Sequence, residues 1–291
     1  MSESLSRAVE GPRPGLVCHR GFGRGSVAEN TVAAVRAAAL SHADIVEVDV
    51  IRSLDGEFFL FHDGQEERHF GLVSPIGVPT AAAQPAVAPP ASRRLFELTT
   101  AEIESLSYRW QLEGGARVER LTDVLEQCPD IHLQIDRSWP WWPDLFPVLR
   151  ASGRADSLHL KAPADEAVLQ ALEAEGGDLQ FAAIVFTEED IARVGSYDIN
   201  LVGYEIVAET LDGPLVAPGR IAELKSEGRF VQLNALTLPE GQILFGGLDD
   251  HVSITRGPEH GWGKILEFGP SLLQTDWPHL LWEYMAALDG R

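Results

Sequence analysis

An acidic pair lies inside one of the most apolar stretches of the sequence. Glu47 and Asp49 are two residues apart within the run 45–51, so both would point to the same face of a strand. Carboxylates buried among apolar side chains are costly unless a cation compensates their charge. Mg²⁺ and Ca²⁺ take oxygen ligands of this kind, whereas salt bridges to Arg20 or Arg52 would compensate the charge without a metal. The pair alone leaves both interpretations open.

Three further side chains of ligating or catalytic type follow other apolar runs. Asp136 ends the run 131–135 and adds a third carboxylate, which favours the metal interpretation. His19 and His62 each follow a short apolar run. Imidazoles beside a metal can take a proton from a nucleophile and deliver one to a leaving group. A single histidine more often makes a structural hydrogen bond, but two of them with three carboxylates favour catalysis.

Short apolar runs alternate with helical patterns along the chain. The predicted strands are residues 16–18, 45–51, 57–61, 131–135, 157–160, 181–186, 199–207, 230–236 and 272–275. The predicted helices are residues 30–40, 121–127, 165–175, 188–194, 218–227 and 278–288. Strands separated by helices pair in parallel through right-handed crossovers. About eight such units favour an α/β fold of the TIM-type (β/α)8 barrel class, in which catalytic side chains gather at the carboxyl ends of the strands.

The barrel is expected to form a single domain over residues 1–291, with one insertion. Residues 64–90 are rich in proline, alanine and glycine and predict a short loop insertion after the second strand region. Thr99 followed by Glu102 is the pattern of a capping box and predicts that a helix begins there.

The charge balance limits the classes of partner. Lys and Arg total 23 against 44 Asp and Glu, which gives a formal net charge of −21. Such a surface repels nucleic acid and anionic membranes, so neither is expected as a partner. An anionic small-molecule substrate would need local positive charge, which a bound divalent cation supplies.

The sequence predicts a cytoplasmic protein without integral membrane association. No run of about 18 apolar residues is present, and residues 1–15 lack the apolar stretch of a signal peptide. The two cysteines, Cys18 and Cys128, have neither a C-x-x-C spacing nor that of a zinc site. We therefore expect two free, buried thiols.

Six short motifs follow one another along the chain. They are His19-Arg20-Gly21, Ala28-Glu29-Asn30-Thr31, Val46-Glu47-Val48-Asp49-Val50, Phe61-His62-Asp63, Leu133-Gln134-Ile135-Asp136 and Thr275-Asp276-Trp277-Pro278. In this order they resemble the motifs of the glycerophosphodiester phosphodiesterase family of the phospholipase C-like, TIM-barrel phosphodiesterases. The resemblance covers about residues 16–288 and depends on the order of the motifs, because each motif alone is weak.

The resemblance implies a metal-dependent enzyme of lipid metabolism that hydrolyses a glycerophosphodiester to sn-glycerol 3-phosphate and an alcohol. It implies that Glu47, Asp49 and Asp136 hold one divalent cation, Mg²⁺ or Ca²⁺. It also implies that His19 and His62 act as the acid–base pair. The residues expected to bind the substrate and its phosphate, or to shape the site, are Arg20, Lys161, Glu29, Asn30 and Trp277.

The sequence departs from the family pattern beside the third acidic residue. The family usually has a lysine two positions after that residue, where this sequence has Ser138. Lys161 ends the next predicted strand and could supply the charge, with an ordinary surface lysine as the alternative. Trp139, Trp141 and Trp142 come directly after the same strand and predict either an apolar wall that favours a bulky head group or structural packing.

Other functions are compatible with the same residues. The substrate could be a sugar phosphodiester, or the phosphoryl group could be transferred within the substrate to give a cyclic phosphate, as in phospholipase D-like relatives. A catalytically inactive binding homologue would require the loss of metal affinity. For an active enzyme we expect activity to fall in acid, as the ligands and the base become protonated. The sequence leaves open whether the protein is a homo-oligomer.

Overall fold

Nine strands form one sheet in the computed structural model, which describes residues 1–70, 93–108, 116–238 and 241–290. The strands are β1 (Gly15–Cys18), β2 (Ile45–Arg52), β3 (Phe58–Leu60), β4 (His132–Asp136), β5 (Leu158–Pro163), β6 (Phe181–Val185), β7 (Leu201–Ile206), β8 (Phe230–Asn234) and β9 (Leu272–Thr275). All pairings are parallel except that of β2 with β3, and the pairing of β1 with β2 closes the barrel. The predicted TIM-type (β/α)8 fold is confirmed.

Helices surround this barrel and connect its strands. They are α1 (Glu3–Val9), α2 (Val32–Leu40), α3 (Glu66–Phe70), α4 (Thr100–Glu104), α5 (Leu121–Gln127), α6 (Phe146–Ala151), α7 (Glu166–Ala171), α8 (Glu188–Val194), α9 (Arg220–Ser226), α10 (Asp250–Arg256), α11 (Trp262–Leu266) and α12 (Pro278–Asp289). Helix α7 continues into a π-helical turn at Leu172–Gly176. Short 3₁₀ helices lie at Leu95–Glu97, Trp139–Trp141, Ala155–Ser157, Pro214–Val216 and Pro258–His260.

The sequence did not predict helices α1, α3, α6, α10 and α11. Each is only five to seven residues long, so it spans too few turns for a period of 3.6 residues to be recognised.

The segment between β2 and β4 adds a small layer outside the barrel. Strand β3 pairs antiparallel with β2, and helix α4 begins at the predicted capping box, in which Thr99 and Glu102 bond reciprocally. The insertion predicted at residues 64–90 contains α3, and residues 71–90 lie outside the described residues. The layer has its own apolar cluster, made by Ile51, Phe59, Phe61, Phe70, Leu95, Leu98, Ile103, Leu106, Tyr108 and Val118.

Helix α1 covers the amino-terminal end of the barrel. Its Leu5 and Ala8 pack against residues at the starts of the strands, among them Val17, Ile45 and Leu272. Both cysteines are free and buried, as expected. Within the described residues, no helix is long and apolar enough to cross a membrane.

Candidate active site

A pocket opens at the carboxyl ends of the barrel strands, where catalytic residues lie in TIM barrels. Its polar lining is His19, Arg20, Asp49, His62, Asp136, Arg137, Lys161, Glu205, Asn234, Gln242 and Gln274. Its apolar lining is Trp139, Pro163, Ile184, Phe186, Val207, Leu236, Leu238 and Leu244.

Three carboxylates meet at the base of this pocket. Strand pairing places Asp49 directly beside Asp136, and one oxygen from each of Glu47, Asp49 and Asp136 lies within 4.8 Å of the others. Glu47 Oε2 accepts a hydrogen bond from the backbone N–H of Arg20 at 2.7 Å. Its Oε1 is buried without a hydrogen-bond partner among the described residues. Burial, with repulsion from Asp49 and Asp136, raises the pKa of Glu47 well above its ordinary value.

This arrangement fits a divalent cation. Three hard oxygen donors converge, and one of them is a buried atom that lacks a partner. A cation bound there would satisfy that oxygen and offset the repulsion among the acids.

Arg20 and Asn30 hold the second carboxylate in place. Arg20 Nε lies 3.1 Å from Asp49 Oδ2, which also accepts a hydrogen bond from Asn30 Nδ2 at 3.0 Å. Burial acts to raise the pKa of Asp49, but Arg20, the two histidines and the hydrogen bond from Asn30 together outweigh it, and the pKa is lowered. The salt bridge to Arg20 therefore exists alongside the carboxylate cluster, whereas Arg52 pairs with Asp144 at 2.9 Å instead.

The turn after β1 explains the His-Arg-Gly motif. Arg20 has a φ of 55°, an uncommon backbone conformation that places its N–H on Glu47 and its guanidinium on Asp49. Gly21 follows with a φ of 68°, and a Cβ there would lie 2.8 Å from Ala34. Only glycine fits this position, because both the conformation and the close approach exclude a side chain.

Glu29 supports Arg20 from behind the pocket. Its carboxylate contacts Arg20 Nη1 at 3.0 Å, Arg68 Nη2 at 2.9 Å and His69 Nε2 at 3.3 Å. Burial opposes its ionisation, but His69, Arg20 and Arg68 together hold its pKa well below the ordinary range. Glu29 is not among the described residues that line this pocket, and its contact with Arg20 orients the arginine. Its expected contact with the substrate stays a prediction.

The two histidines each have one ring nitrogen fixed by a neighbour. His19 Nδ1 lies 2.9 Å from Asp276 Oδ1, and this hydrogen bond lowers the pKa of Asp276 against the effect of burial. His62 Nδ1 donates to the carbonyl oxygen of Asp63 at 2.7 Å, because a carbonyl can only accept. Burial lowers the pKa of His62, although Asp49 partly opposes the shift. In its neutral form His62 therefore carries its lone pair on Nε2.

Asp250, which the sequence analysis missed, anchors Asp276. Its carboxylate accepts hydrogen bonds from Trp262 Nε1 and Thr275 Oγ1, each at 2.7 Å, and from the backbone N–H of Asp276 at 2.9 Å. Burial raises its pKa to about 7. Asp250 lies on the short helix α10, whose pattern did not mark it as a site residue.

Lys161 lies beside the third carboxylate. Its Nζ is 2.8 Å from Asp136 Oδ2 and 2.8 Å from Glu205 Oε2, and these two acids raise its pKa despite its burial. The side chain is therefore not a surface lysine. Ser138, at the position where the family has lysine, is buried and accepts a hydrogen bond from Trp142 Nε1.

Glu205 was also missed by the sequence analysis. It is an acidic residue within the apolar strand β7, which is the same signal that identified Glu47. An acidic residue in an apolar strand is therefore a signal that could have identified Glu205 from the sequence.

The tryptophans contribute less to the pocket than the sequence suggested. Trp139 lines it, whereas Trp142 packs against Phe146 at 5.3 Å between ring centroids. The guanidinium of Arg24 lies over the ring of Trp277, 4.6 Å from the ring centroid. Trp277 is not among the described residues that line the pocket. Its expected role in substrate binding stays a prediction.

Comparison with known proteins supports the family assignment. Residues 19–156 match the sequence profile of the glycerophosphoryl diester phosphodiesterase family. No curated protein sequence matches the chain.

Solved structures share the fold across almost the whole chain. A glycerophosphoryl diester phosphodiesterase from Parabacteroides distasonis is 15% identical, with a TM-score of 0.67 over 98% of this chain and 91% of that one. A glycerophosphodiester phosphodiesterase from Thermotoga maritima is 18% identical, with a TM-score of 0.62 over 94% and 99%. An Oleispira antarctica phosphodiesterase, solved with its product sn-glycerol-3-phosphate, is 16% identical, with a TM-score of 0.62 over 98% and 99%.

At these identities the solved structures support the fold, while the matched profile includes all three clustered carboxylates and both histidines. Residues 19–156, just under half of the chain, therefore resemble the glycerophosphoryl diester phosphodiesterase family in sequence, and the whole chain shares the fold of the solved structures.

Proposed function

We propose that this phosphodiesterase hydrolyses a glycerophosphodiester to sn-glycerol 3-phosphate and an alcohol, with the help of Mg²⁺ or Ca²⁺. One observation carries the proposal. Oε1 of Glu47 is buried, has no hydrogen-bond partner among the described residues and belongs to a cluster of three carboxylates. The pocket beside this cluster is also lined by two histidines and two arginines. Arg20 pairs with Asp49 and Lys161 with Asp136, so a bound cation would compensate the remaining charge of Glu47. The histidines beside the cluster would supply proton transfer.

Glu47, Asp49 and Asp136 would hold the cation. When bound, it would neutralise charge on the phosphoryl oxygens. Arg20 lines the pocket beside the cluster, and its planar guanidinium suits two phosphate oxygens. Lys161 adds a second positive charge next to Asp136.

The histidines divide two proton transfers between them. One Nε2 takes a proton from the attacking water as its oxygen forms a bond to phosphorus. The other delivers a proton to the alcohol oxygen as the phosphorus–oxygen ester bond breaks. Asp276 holds His19 and the Asp63 carbonyl holds His62, so that neither ring must reorient during the reaction.

The test measures turnover of glycerophosphocholine, glycerophosphoethanolamine, a sugar phosphodiester and bis(p-nitrophenyl) phosphate, in EDTA and with added Mg²⁺ or Ca²⁺. Metal-dependent release of sn-glycerol 3-phosphate supports the proposal. A cyclic phosphate, identified by ³¹P NMR, would show intramolecular transfer instead. Absence of turnover with every metal and substrate would contradict the proposed activity.

His19→Ala and His62→Ala separate the two proton transfers. Both variants should lose turnover of glycerophosphocholine, whose alcohol leaves poorly without a proton. Only the variant that lacks the acid should keep turnover of p-nitrophenyl esters, because p-nitrophenolate leaves without protonation. Equal losses on both substrates would contradict the acid–base division. Cytoplasmic location and a single domain stay predictions from the sequence.

A further inference from the structure

A chain of hydrogen-bonded polar side chains runs through the inside of the barrel, from helix α1 to the pocket. We refer to it as the polar column. Apart from Ser4, its members are at most 5% exposed. In order from α1 to the pocket they are Ser4, His132, His159, Gln134, Gln232, Glu205 and Lys161.

The carboxylate of Glu205 sets the direction of the hydrogen bonds at the pocket end. A carboxylate paired with Lys161 can only accept, so it is the amide nitrogen of Gln232 that faces it, at 2.8 Å. The amide oxygen of Gln232 must then face Gln134, whose Nε2 donates to it at 2.8 Å. The same Nε2 lies 2.9 Å from His159 Nε2, which therefore accepts.

This direction continues to the far end of the barrel. Because His159 Nε2 accepts, its proton is on Nδ1, which donates to His132 Nε2 at 2.9 Å. His132 then donates from Nδ1 to Ser4 Oγ at 2.9 Å, and Ser4 donates to the carbonyl oxygen of Asp156 at 2.8 Å. Burial lowers the pKa of His132 to about 3 and that of His159 well below its ordinary value. Both rings are neutral at pH 7, with the proton on Nδ1.

A polar column is an unusual filling for a barrel interior. Layers of branched apolar side chains fill most TIM barrels, and they avoid the desolvation cost of buried polar groups. A fully satisfied polar network is rigid, however, and it fixes one arrangement of its members. At the pocket end of the column, this rigidity fixes side chains that line the pocket or contact its lining. Gln232 also donates to Gln274 Oε1 at 2.9 Å, and Gln274 lines the pocket.

We propose that Gln232, backed by Gln134 and His159, is a positioning residue that holds Glu205 against Lys161. Lys161 lies at the same distance from Glu205 and from Asp136, so it shares its charge between them. If Glu205 lost its donor and turned away, the ammonium group would pair with Asp136 alone. It would then compete with a cation for that ligand.

The direction of the hydrogen bonds can be tested without any assay of activity. ¹⁵N NMR of the histidine rings at pH 7 should show His132 and His159 as neutral rings protonated on Nδ1, which is the less common tautomer. Signals are assigned by comparison with His132→Phe. In Glu205→Gln the amide can donate or accept, so the His159 signal should change. Nε2-protonated rings in the natural protein would overturn the proposal.

The positioning role is tested with Gln232→Met. The matched control is Gln180→Met, since Gln180 is also a buried glutamine, bonded to Ser2 and to Leu158 outside the column. Gln232→Met should lower kcat/KM and the affinity for Mg²⁺ and Ca²⁺ by about 10- to 100-fold, as losses of groups that orient metal ligands do. Affinity is measured calorimetrically on the metal-free protein. Gln180→Met should keep the natural kcat/KM and the natural affinity for both cations.

Natural turnover and cation affinity in a folded Gln232→Met protein would overturn the proposal. If that variant does not fold, Gln232→Asn replaces it, because its shorter amide cannot reach Glu205 and Gln134 together. The expected effect of Gln232→Met on turnover rests on the proposed function, whereas the expected tautomers of His132 and His159 do not. If the natural protein had no phosphodiesterase activity but its two histidine rings were protonated on Nδ1, the proposed function would be contradicted. The direction of the hydrogen bonds in the polar column would still be supported.

Discussion

The pocket has two walls that are built in different ways. The charged wall comes from β1 to β4 and the segments after them, and comprises His19, Arg20, Asp49, His62, Asp136 and Arg137. The apolar wall comes from β6 to β8 and the segments after them, and comprises Ile184, Phe186, Val207, Leu236, Leu238 and Leu244. A substrate that binds between them meets ligands for its phosphate on one side and apolar contacts on the other.

The charged wall is constrained by many partners. Asp49, for example, is held by Arg20 and Asn30, while Glu29 holds Arg20 from behind. At the rim of the apolar wall, by contrast, the side chain of Phe186 is 52% exposed, and only its backbone N–H is bonded to a neighbour, Asp190, among the described hydrogen bonds. From this contrast we expect the charged wall to determine the reaction and the apolar wall to affect which alcohol group is accepted. Substitutions in the two walls should therefore have different consequences.

The largest effect is expected from Glu47→Gln, next to the charged wall. Removing one carboxylate from the cluster should lower kcat/KM by about 1,000-fold, as the loss of a key electrostatic group at an active site does. Mg²⁺ and Ca²⁺ should also stop raising the melting temperature, since ligand binding stabilises only a protein that binds it. Activity assays and thermal unfolding with and without metal measure both effects.

The same variant should be more stable than the natural protein in EDTA. The pKa of Glu47 is raised in the folded protein, so the folded state loses stability as pH rises above about 4.3, the value expected in the unfolded chain. The advantage of Glu47→Gln should grow with pH above that point. If the natural protein and Glu47→Gln were equally stable in EDTA, repulsion within the carboxylate cluster would not destabilise the folded state.

Glu29→Gln should weaken the support of the charged wall. The variant removes the negative charge that pairs with Arg20 Nη1 and Arg68 Nη2, while Arg20 keeps its contact with Asp49. The expected cost therefore lies at the low end for a broken buried pair, about 3 kcal/mol in the free energy of unfolding at pH 7. The pKa of Glu29 is lowered on folding, so its contribution is present at neutral pH and is lost as pH falls. The difference from the natural protein should shrink below about pH 4.3.

Urea unfolding at pH 7 and in acid measures this difference. Glu223→Gln is the control, because Glu223 pairs with Arg220 on the exposed surface and such pairs contribute at most about 1 kcal/mol. A pH-independent cost for Glu29→Gln would show that packing, and not charge, explains the loss.

On the apolar wall, Phe186→Ala should change substrate preference. Loss of its ring should lower kcat/KM for p-nitrophenyl esters by about tenfold, a typical value for lost apolar contact in a binding pocket. Glycerophosphoethanolamine should be affected less, because its strongly hydrated primary ammonium group gains little from an apolar wall. Phe96→Ala is the control, since Phe96 is also partly exposed but lies in the segment between β2 and β4. Equal losses on both substrates would show that the wall does not discriminate.

The charged wall could be predicted from sequence because its residues carry local signals. Glu47 and Asp49 are two apart in an apolar strand, and His19 and His62 follow strand-like runs. Strand ends converge in a barrel, so identifying the strands also brought these residues together. Arg20 was identified from the residues only as a possible salt-bridge partner of the acids. Its phosphate-binding role, and any role of Asn30, came from the resemblance, because the positive φ values that place these side chains are not readable from their residue types.

The polar column and Asp250 could not be predicted in the same way. Gln134, His159 and Gln232 come from three different strands, and each looks like a single polar residue in an apolar run. Their hydrogen bonds depend on the order and register of strands around the closed barrel, which no local pattern encodes. The segment between β2 and β4 was underestimated because its packing is formed by residues from several short elements.

The smallest effect is expected outside both walls, at the capping box of helix α4. Thr99 accepts a hydrogen bond from the backbone N–H of Glu102, and the Glu102 side chain accepts one from the backbone N–H of Thr99. Thr99→Ala should lower the free energy of unfolding by about 1 kcal/mol and leave kcat/KM unchanged, while Thr99→Ser should keep the stability. A fall in kcat/KM with Thr99→Ala would mean that the layer between β2 and β4 is coupled to the pocket through β3, which pairs with the strand that carries Glu47 and Asp49.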